Sequence, residues 1–308
     1  MKIVITGGAG FIGSHLVDRL VRDGVGELVV VDNMHRGRHA HLAQHAANPA
    51  VRLAEVDIRD AEAIYALCAG ADLIYHLAAQ SNVMGAVSDL SYSFNTNVAG
   101  TVNVLEAARA GGVRRVVFSS SREVYGEVDR LPVSEETPFN SKNAYGASKA
   151  AGELYARVFL NTYGVETAVL RLANVYGPRD RDRVIPLWLD AAARGEEMIV
   201  YGGQQLIDFV HVDQVVEALV RAATADIIGQ PINVGSGQGT PLLQLAERVL
   251  ALPGATSRLD LRPARSVEVA RYTAAIDRMR AQLGLEPPSD PLFALAQLWE
   301  GYRAEAKG

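Results

Sequence analysis

Tyr145 and Lys149 stand four residues apart in the run YGASK, a spacing that puts both side chains on one face of a helix. An ammonium beside a phenol stabilises the phenolate, lowering a tyrosine pKa that is ~10 unperturbed so that the oxygen can take a proton near neutrality. Alone, such a pair usually marks a solvated helix face. It gains meaning from Ser119-Ser120-Ser121, which end the preceding apolar run, where a hydroxyl can donate to the same substrate oxygen. Near the N-terminus, Gly7, Gly10 and Gly13 have the spacing GxxGxxG. Glycine is needed where a backbone turns tightly, approaches a pyrophosphate and packs a helix against a strand. The free N–H groups and dipole of the following helix favour phosphate. Asp32 stands nineteen residues after Gly13, at the end of the next apolar run. A carboxylate there binds both ribose hydroxyls and repels a 2′-phosphate, favouring NAD over NADP. Arg36 and Arg38, which could meet such a phosphate, are read as solvated.

These groups need a frame. Apolar, β-branched runs at 2–6, 28–32, 51–56, 72–77, 115–119 and 167–172 read as strands buried on both faces. Segments 13–23, 61–69, 95–110 and 144–163 between them are long enough for helices. The alternation predicts an α/β fold, a parallel sheet with helices on both sides. Beyond 173 the pattern loosens. The run 178–186 (PRDRDRVIP) reads as loop; helices are expected at 187–194, 212–223, 241–252, 275–283 and 291–304, and short strands at 198–201 and 231–235. There is no internal repeat.

Composition narrows the function. Among 308 residues, thirty basic side chains against thirty-five acidic give a formal charge of −5, without the basic stripe that nucleic-acid binding needs. Cys68 is the only cysteine, so no internal disulfide forms, in keeping with a reducing compartment. No apolar run approaches a membrane span. Met1 leads straight into KIVITGG, which lacks the apolar run of a signal peptide. A soluble, cytoplasmic protein is expected.

Taken in order, TGGAGFIGSHL (6–16), VVDN (30–33), HLAAQ (76–80), NVAGT (97–101), SSSREVYG (119–126), YGASK (145–149), RLANVYGPR (171–179), DFVHVDQVV (208–216) and NVGSG (233–237) resemble the extended short-chain dehydrogenase/reductase family, the NAD-dependent nucleotide-sugar epimerases and dehydratases. The resemblance implies a Rossmann-type doubly wound parallel sheet with a smaller C-terminal α/β substrate lobe. It implies Tyr145 as base, Lys149 lowering its pKa and binding the nicotinamide ribose, and Ser121 assisting. NAD would be held by Gly7, Gly10, Phe11, Ile12, Gly13, Asp32, Asn33, Leu77, Ala78, Ala79, Asn97, Ser119, Tyr145 and Lys149, with Asp57 and Ile58 flanking the adenine. Asn174 would contact the phosphate of a nucleotide-sugar substrate, UDP-linked in the nearest members. The resemblance also implies an NAD-binding domain at 1–172, rejoined by strands near 207–212 and 231–235. The substrate lobe would be 173–206 and 237–308. A homodimer would pair helices 95–110 and 144–163 of each chain.

Two departures from the family pattern matter. The 4,6-dehydratases carry an Asp-Glu pair after the strand serine or threonine, an acid for the leaving hydroxyl and a carboxylate for the C5 proton. Here the pair is Arg122-Glu123, and arginine, protonated below pH ~12, cannot be that acid. The reading favours a 4-epimerase of UDP-hexose or UDP-hexuronate, with Ser121, Arg122, Glu123 and Tyr145 facing the sugar. The alternatives are a dehydratase or a UDP-glucuronate decarboxylase using Glu123. A non-catalytic dinucleotide sensor, or a reductase that releases its cofactor each turn, stands further off. The second departure is Ile207, where members carry a phosphate-binding arginine. Arg179, Arg183, Arg262, Arg265 or Arg271 could compensate, with Arg183, Arg262 and Arg271 taken as substrate contacts. His41 and His45 would share a helix face, but without a cysteine or clustered carboxylate nearby no metal is assigned. His76 and His211 read as core histidines.

Overall fold

The computed structural model describes residues 1–306. β1 (Lys2–Thr6) runs through the glycine loop into α1 (Phe11–Arg22), β2 (Glu27–Asp32) and β3 (Val51–Glu55). Then come α2 (Ala61–Cys68), β4 (Leu73–His76), α3 (Val83–Ser88) and α4 (Leu90–Phe94). A π turn at Asn95–Ala99 feeds α5 (Gly100–Gly111), followed by β5 (Arg115–Ser121), α6 (Ala144–Tyr163) and β6 (Glu166–Leu172). The remainder is β7 (Asn174–Tyr176), α7 (Val184–Arg194), β8 (Met198–Tyr201), β9 (Leu206–His211), α8 (Val212–Ala222) and β10 (Ile232–Val234). After these lie β11 (Gly239–Pro241), α9 (Leu242–Leu250), β12 (Leu259–Arg262), α10 (Asp277–Leu283) and α11 (Leu295–Glu305). Among the described residues no helix is long and apolar enough to cross a membrane.

Seven strands form one parallel sheet in the order β10-β6-β5-β4-β1-β2-β3. Alternate residues of β1 face opposite layers. Ile3 and Ile5 pack with Leu16 and Val17 of α1 and with Val215 and Leu219 of α8. Val4 packs with Ile64 of α2 and Val104 of α5. Both faces are therefore covered, which is why these strands are continuously apolar. The chain winds one way from β1 to β3 and the other from β4 onward, so a crevice opens between the carboxyl ends of β1 and β4, where such sheets bind ligands. A separate core holds Trp188, Phe209, Leu245 and Trp299 and unites α7, β9, α9 and α11.

Three expectations need correction. The run 231–235 adds to the large sheet as β10, but the run near 207–212 does not. β9 lies instead in a three-stranded sheet, parallel to β7 and antiparallel to β11. The edge of β6 is already taken by β10, with Ala173 N donating to Val234 O at 2.9 Å. The segment 178–186 is not loop throughout, because α7 begins at Val184. Pro186 falls in its first turn, where a missing N–H breaks no helical bond. The expected helix 95–110 is broken by the π turn, and β7, β11, β12, α3 and α4 are additions to the sequence reading.

Candidate active site

The carboxyl ends of the central strands open onto a cleft of about 1000 Å³. Its floor is the glycine loop. Gly7 has φ +72°, and a Cβ there would lie 2.7 Å from the Ala78 backbone nitrogen. Phe11, Ile12, Leu77, Ala78 and Ala79 line the same wall. Asp32 is buried at the tip of β2; its carboxylate accepts from Ala9 N and Met34 N, both at 3.0 Å. Burial pushes its pKa up, and those backbone donors hold it down.

Asn33, Ile58 and Ser119 also border the cleft. Asp57 and Asn97 do not. Asp57 accepts from Asn33 Nδ2 at 2.8 Å and pairs with Arg59 at 2.8 Å. Burial alone would raise its pKa, but these donors bring it to about 2. Asn97 is buried and knits the Gln80 backbone (2.7 and 3.1 Å) to Ser148 Oγ (2.9 Å). Asn97 supports the wall from behind, and the partly exposed Asp57 holds Asn33, which borders the cleft.

The opposite wall carries the groups able to move protons. Ser119, Ser120 and Ser121 end β5, and α6 starts across from them with Asn143 as its cap, accepting from Gly146 N at 2.9 Å. Capping fixes the helix start, so Tyr145 and Lys149 enter the cleft one turn apart. Lys149 is buried, donates to Ser119 O at 2.8 Å and lies 4.8 Å from the Phe118 ring centroid. Burial lowers its pKa to about 7, with Glu153 opposing. Burial raises the Tyr145 phenol, against the pull of Arg183, the Ser121 hydroxyl and Arg122; Glu123 adds to the rise.

Glu123 is buried and both its oxygens are engaged. Oε1 meets an Arg122 nitrogen at 2.9 Å, and Oε2 accepts from Asn143 Nδ2 at 2.7 Å. Asn143, which holds Glu123 and caps α6, joins the candidate site without having been expected from the sequence. The signal was available, since asparagine directly before a helical run is a cap.

Asn174 and Arg183 line the cleft. Arg183 pairs with Asp180 at 2.8 Å, and Asn174 Oδ1 is a buried oxygen without a partner. Arg262 and Arg271 are corrected: neither lines the cleft. Arg262 sits on β12, beside a smaller hollow, paired with Asp260 at 2.7 Å, and Arg271 is exposed where its backbone bridges to Leu206. Arg265 borders the cleft instead, with Arg179 and Arg183. Its guanidinium lies 3.7 Å from the Tyr201 ring centroid and 3.1 Å from Glu268. Ile207 lines the wall.

The histidines have ordinary partners. His41 Nδ1 lies 2.9 Å from Ala9 O, and His45 Nε2 lies 2.7 Å from Asp18. Their segment is a 3₁₀ turn, so they do not share an α-helical face. His76 is buried between Thr6 Oγ1 (2.7 Å) and Thr101 Oγ1 (2.9 Å), and burial lowers its pKa to about 3.

The residues present fit a dinucleotide. A side chain on Gly7 or Gly13 would strike backbone, and Thr96 Oγ1 on the cleft wall is a buried hydroxyl without a partner. A seven-stranded doubly wound sheet with this loop, Asp32 and a tyrosine–lysine pair defines an NAD-dependent enzyme of the short-chain dehydrogenase/reductase type. Residues 3–235 match the NAD dependent epimerase/dehydratase family, and the chain belongs to it. It is 36% identical to the UDP-glucose 4-epimerase of Mycolicibacterium smegmatis over the whole length of both chains. Among solved structures it is similar to the UDP-glucose 4-epimerase of Thermotoga maritima with UDP-glucose (TM-score 0.93, 32% identity, 99% of each chain). It is also similar to the dTDP-glucose 4,6-dehydratase DesIV of Streptomyces venezuelae with NAD bound (TM-score 0.94, 32% identity, 100% of this chain and 98% of that one).

Proposed function

We propose that the protein is an NAD-dependent nucleotide-sugar 4-epimerase acting on a UDP-hexose or UDP-hexuronate. Bound NAD supplies the acceptor, and later the donor, of the C4 hydride. Tyr145 takes the C4 hydroxyl proton and returns it, Ser121 hydrogen-bonds the same oxygen, and the positive charge of Lys149 favours the phenolate. Arg179, Arg183 and Arg265 offer the diphosphate its positive charge, in place of an arginine at Ile207. Inversion needs no proton moved at carbon, so a single acid–base residue is sufficient.

The observation that carries this reading over a dehydratase is the state of Glu123, and loss of CO₂, which needs no base at C5, is separated from epimerisation by product mass. A carboxylate paired on both oxygens to Arg122 and Asn143 is poorly placed to take a carbon-bound proton. The whole-length similarity to 4-epimerases supports it as well. Incubation of the purified protein with UDP-, dTDP-, CDP- and GDP-hexoses and hexuronates, with products read by mass and NMR, tests it. Interconversion of C4 epimers at unchanged mass is the expected result. A product lighter by water or CO₂ overturns it.

We propose further that residues 1–172 with β10 form the NAD-binding domain and that two chains pair through α5 and α6 as a homodimer. Leu154, Tyr155 and Val158 of α6 are 52%, 43% and 50% exposed, an apolar stripe suited to a second copy of itself. A reducing cytoplasmic setting suits the buried free thiol of Cys68.

A further inference from the structure

Arg122 and Glu123 are neighbours in a 3₁₀ turn at the end of β5, yet both turn inward. Their side chains are 12% and 7% exposed, and both line the cleft beside Ser121 and Tyr145. Glu123 is held on three sides. Arg122 takes Oε1 at 2.9 Å, Asn143 Nδ2 takes Oε2 at 2.7 Å, and Glu123 N donates to Ser121 Oγ at 3.2 Å. Arg122 is itself seated, its guanidinium carbon 5.5 Å from the centroid of the buried Tyr272 ring. Asn143 is fixed by capping α6 and by donating to Val267 O at 3.1 Å. A Cβ on Gly146 would lie 2.3 Å from Glu123 O, so the first turn of α6 presses against this residue. The result is a carboxylate on the cleft wall, beside Ser121 and Tyr145, whose oxygens are turned toward a cation and an amide.

We propose that Arg122 is a specificity-determining positioning residue, whose guanidinium withholds Glu123 from C5 of the 4-ketosugar and so confines the reaction to epimerisation. The inference rests on the reading of the chain as a 4-epimerase that passes through a 4-ketosugar. In such a sugar the C5–H is acidic, because the electron pair left on carbon delocalises onto the C4 carbonyl oxygen. A free carboxylate takes that proton, becoming a carboxylic acid and leaving an enolate. Return of a proton to C5 regenerates the ketosugar with no net oxidation or reduction. This is the branch point to elimination at C5 and C6, and a 4-epimerase gains by closing it. Arginine does so with a permanent charge, where aspartic acid at the same position would serve as an acid.

The test is solvent exchange at C5. The protein with its NAD is incubated in D₂O with UDP-glucose or UDP-galactose, and deuterium on each sugar carbon is read by NMR and mass. The unmutated protein is expected to invert C4 with no carbon-bound label. In Arg122→Ala and Arg122→Gln, C5 deuterium should rise by about 10²-fold over the unmutated background, as expected for gaining a general base. Adding Glu123→Gln to either variant should abolish that label, which a merely structural role for Arg122 would not produce. Clean inversion without C5 label by whichever Arg122 variant folds overturns the inference while leaving the 4-epimerase reading intact. Label that survives Glu123→Gln overturns it also, since another base is then responsible. C5 label in the unmutated protein overturns the inference, since a base then reaches C5 with Arg122 in place, and water loss overturns the 4-epimerase reading itself.

Discussion

Gly13 lies so close to Gly7 that a Cβ on Gly13 would stand 2.2 Å from the Gly7 carbonyl oxygen. The clash is with backbone, which cannot swing aside as a side chain can. Gly13→Ala must therefore push α1 off the glycine loop, costing about 1–3 kcal/mol and displacing the helix N-terminus from the phosphates. Lower Tm, together with loss of most co-purifying NAD, is the expected outcome. Gly301→Ala is the control, since nothing lies within 4 Å of its Cβ and it sits inside α11. It should stabilise by about 0.5–1 kcal/mol. Equal behaviour of the two variants would refute the packing argument.

Asp32 both faces the cleft and organises the loops around it, through Ala9 N and Met34 N. Asp32→Ala should weaken NAD by removing the ribose acceptor and by leaving two loop amides without a partner. NADP should lose less, because the repulsion of its 2′-phosphate disappears. A fall of roughly tenfold or more in the NAD-to-NADP affinity ratio is expected, equivalent to about 1.4 kcal/mol. Titration of dinucleotide-stripped protein with both cofactors checks it, and an unchanged ratio would assign preference elsewhere.

Lys149 gives a pH dependence of definite sign. Burial lowers it to about 7 from an ordinary 10.5. Between those values the unfolded chain holds a proton that the folded chain has released, so stability rises with pH across this window. Below about 7 the cost of the buried charge is present in full. Lys149→Met should raise the Tm of dinucleotide-stripped protein most below pH 7, and the gain should fade toward pH 10.5, while turnover is lost. Thermal melts at several pH values decide it. A gain that does not vary with pH would show that the ammonium is buried without cost.

What the sequence made legible was whatever acts through the backbone or through local spacing. The glycine loop, Asp32, the strand–helix alternation and the Tyr145–Lys149 turn all follow from residue type and period. Long-range choices were not legible. β9 reads as one more strand for the large sheet, and only the occupation of β6's edge by β10 excludes it. Arg262 and Arg271 share a stretch with Arg265, yet only Arg265 reaches the cleft, because Tyr201 seats its guanidinium. Asp208 matched a motif without a role. It is buried and accepts from Ser236 N, Gly237 N and Ala274 N at 2.7–3.0 Å, fastening the second lobe beneath β10. Adjacent positions said nothing of whether Arg122 and Glu123 point together or apart.

The apolar stripe on α6 makes the homodimer testable at one residue. Val158→Arg places a charge where a second copy would pack, and costs little in an isolated chain because the side chain is half exposed. Sedimentation should show a dimer for the unmutated protein at micromolar concentration and a monomer for the variant. Secondary structure should be unchanged. A stable monomer before mutation would remove the proposal.

Arg171 and Glu153 form a buried pair behind the catalytic wall. Arg171 Nε and Nη2 reach the carboxylate at 2.7–3.1 Å, and Nη1 donates to Tyr125 OH at 2.9 Å and Glu135 O at 3.0 Å. Ser120 Oγ donates to Glu153 as well. Arg171→Met would leave the buried Glu153 carboxylate without its cation, with Ser120 Oγ still donating, a loss of about 3–5 kcal/mol. Arg171→Met/Glu153→Leu should recover most of it, since buried ion pairs replaced by well-packed apolar residues are often neutral. The site feels the same change, because Glu153 is the group that opposes the lowering of Lys149 by burial. Removing Arg171 leaves that negative charge uncompensated, and the Lys149 ammonium should titrate above about 7. Removing both should let it fall below. Isotope-edited NMR of the lysine side chain in dinucleotide-stripped protein reads the titration, and urea melts read the stability. A double variant no more stable than Arg171→Met would show that the network stabilises through Tyr125 and Glu135 rather than through the ion pair.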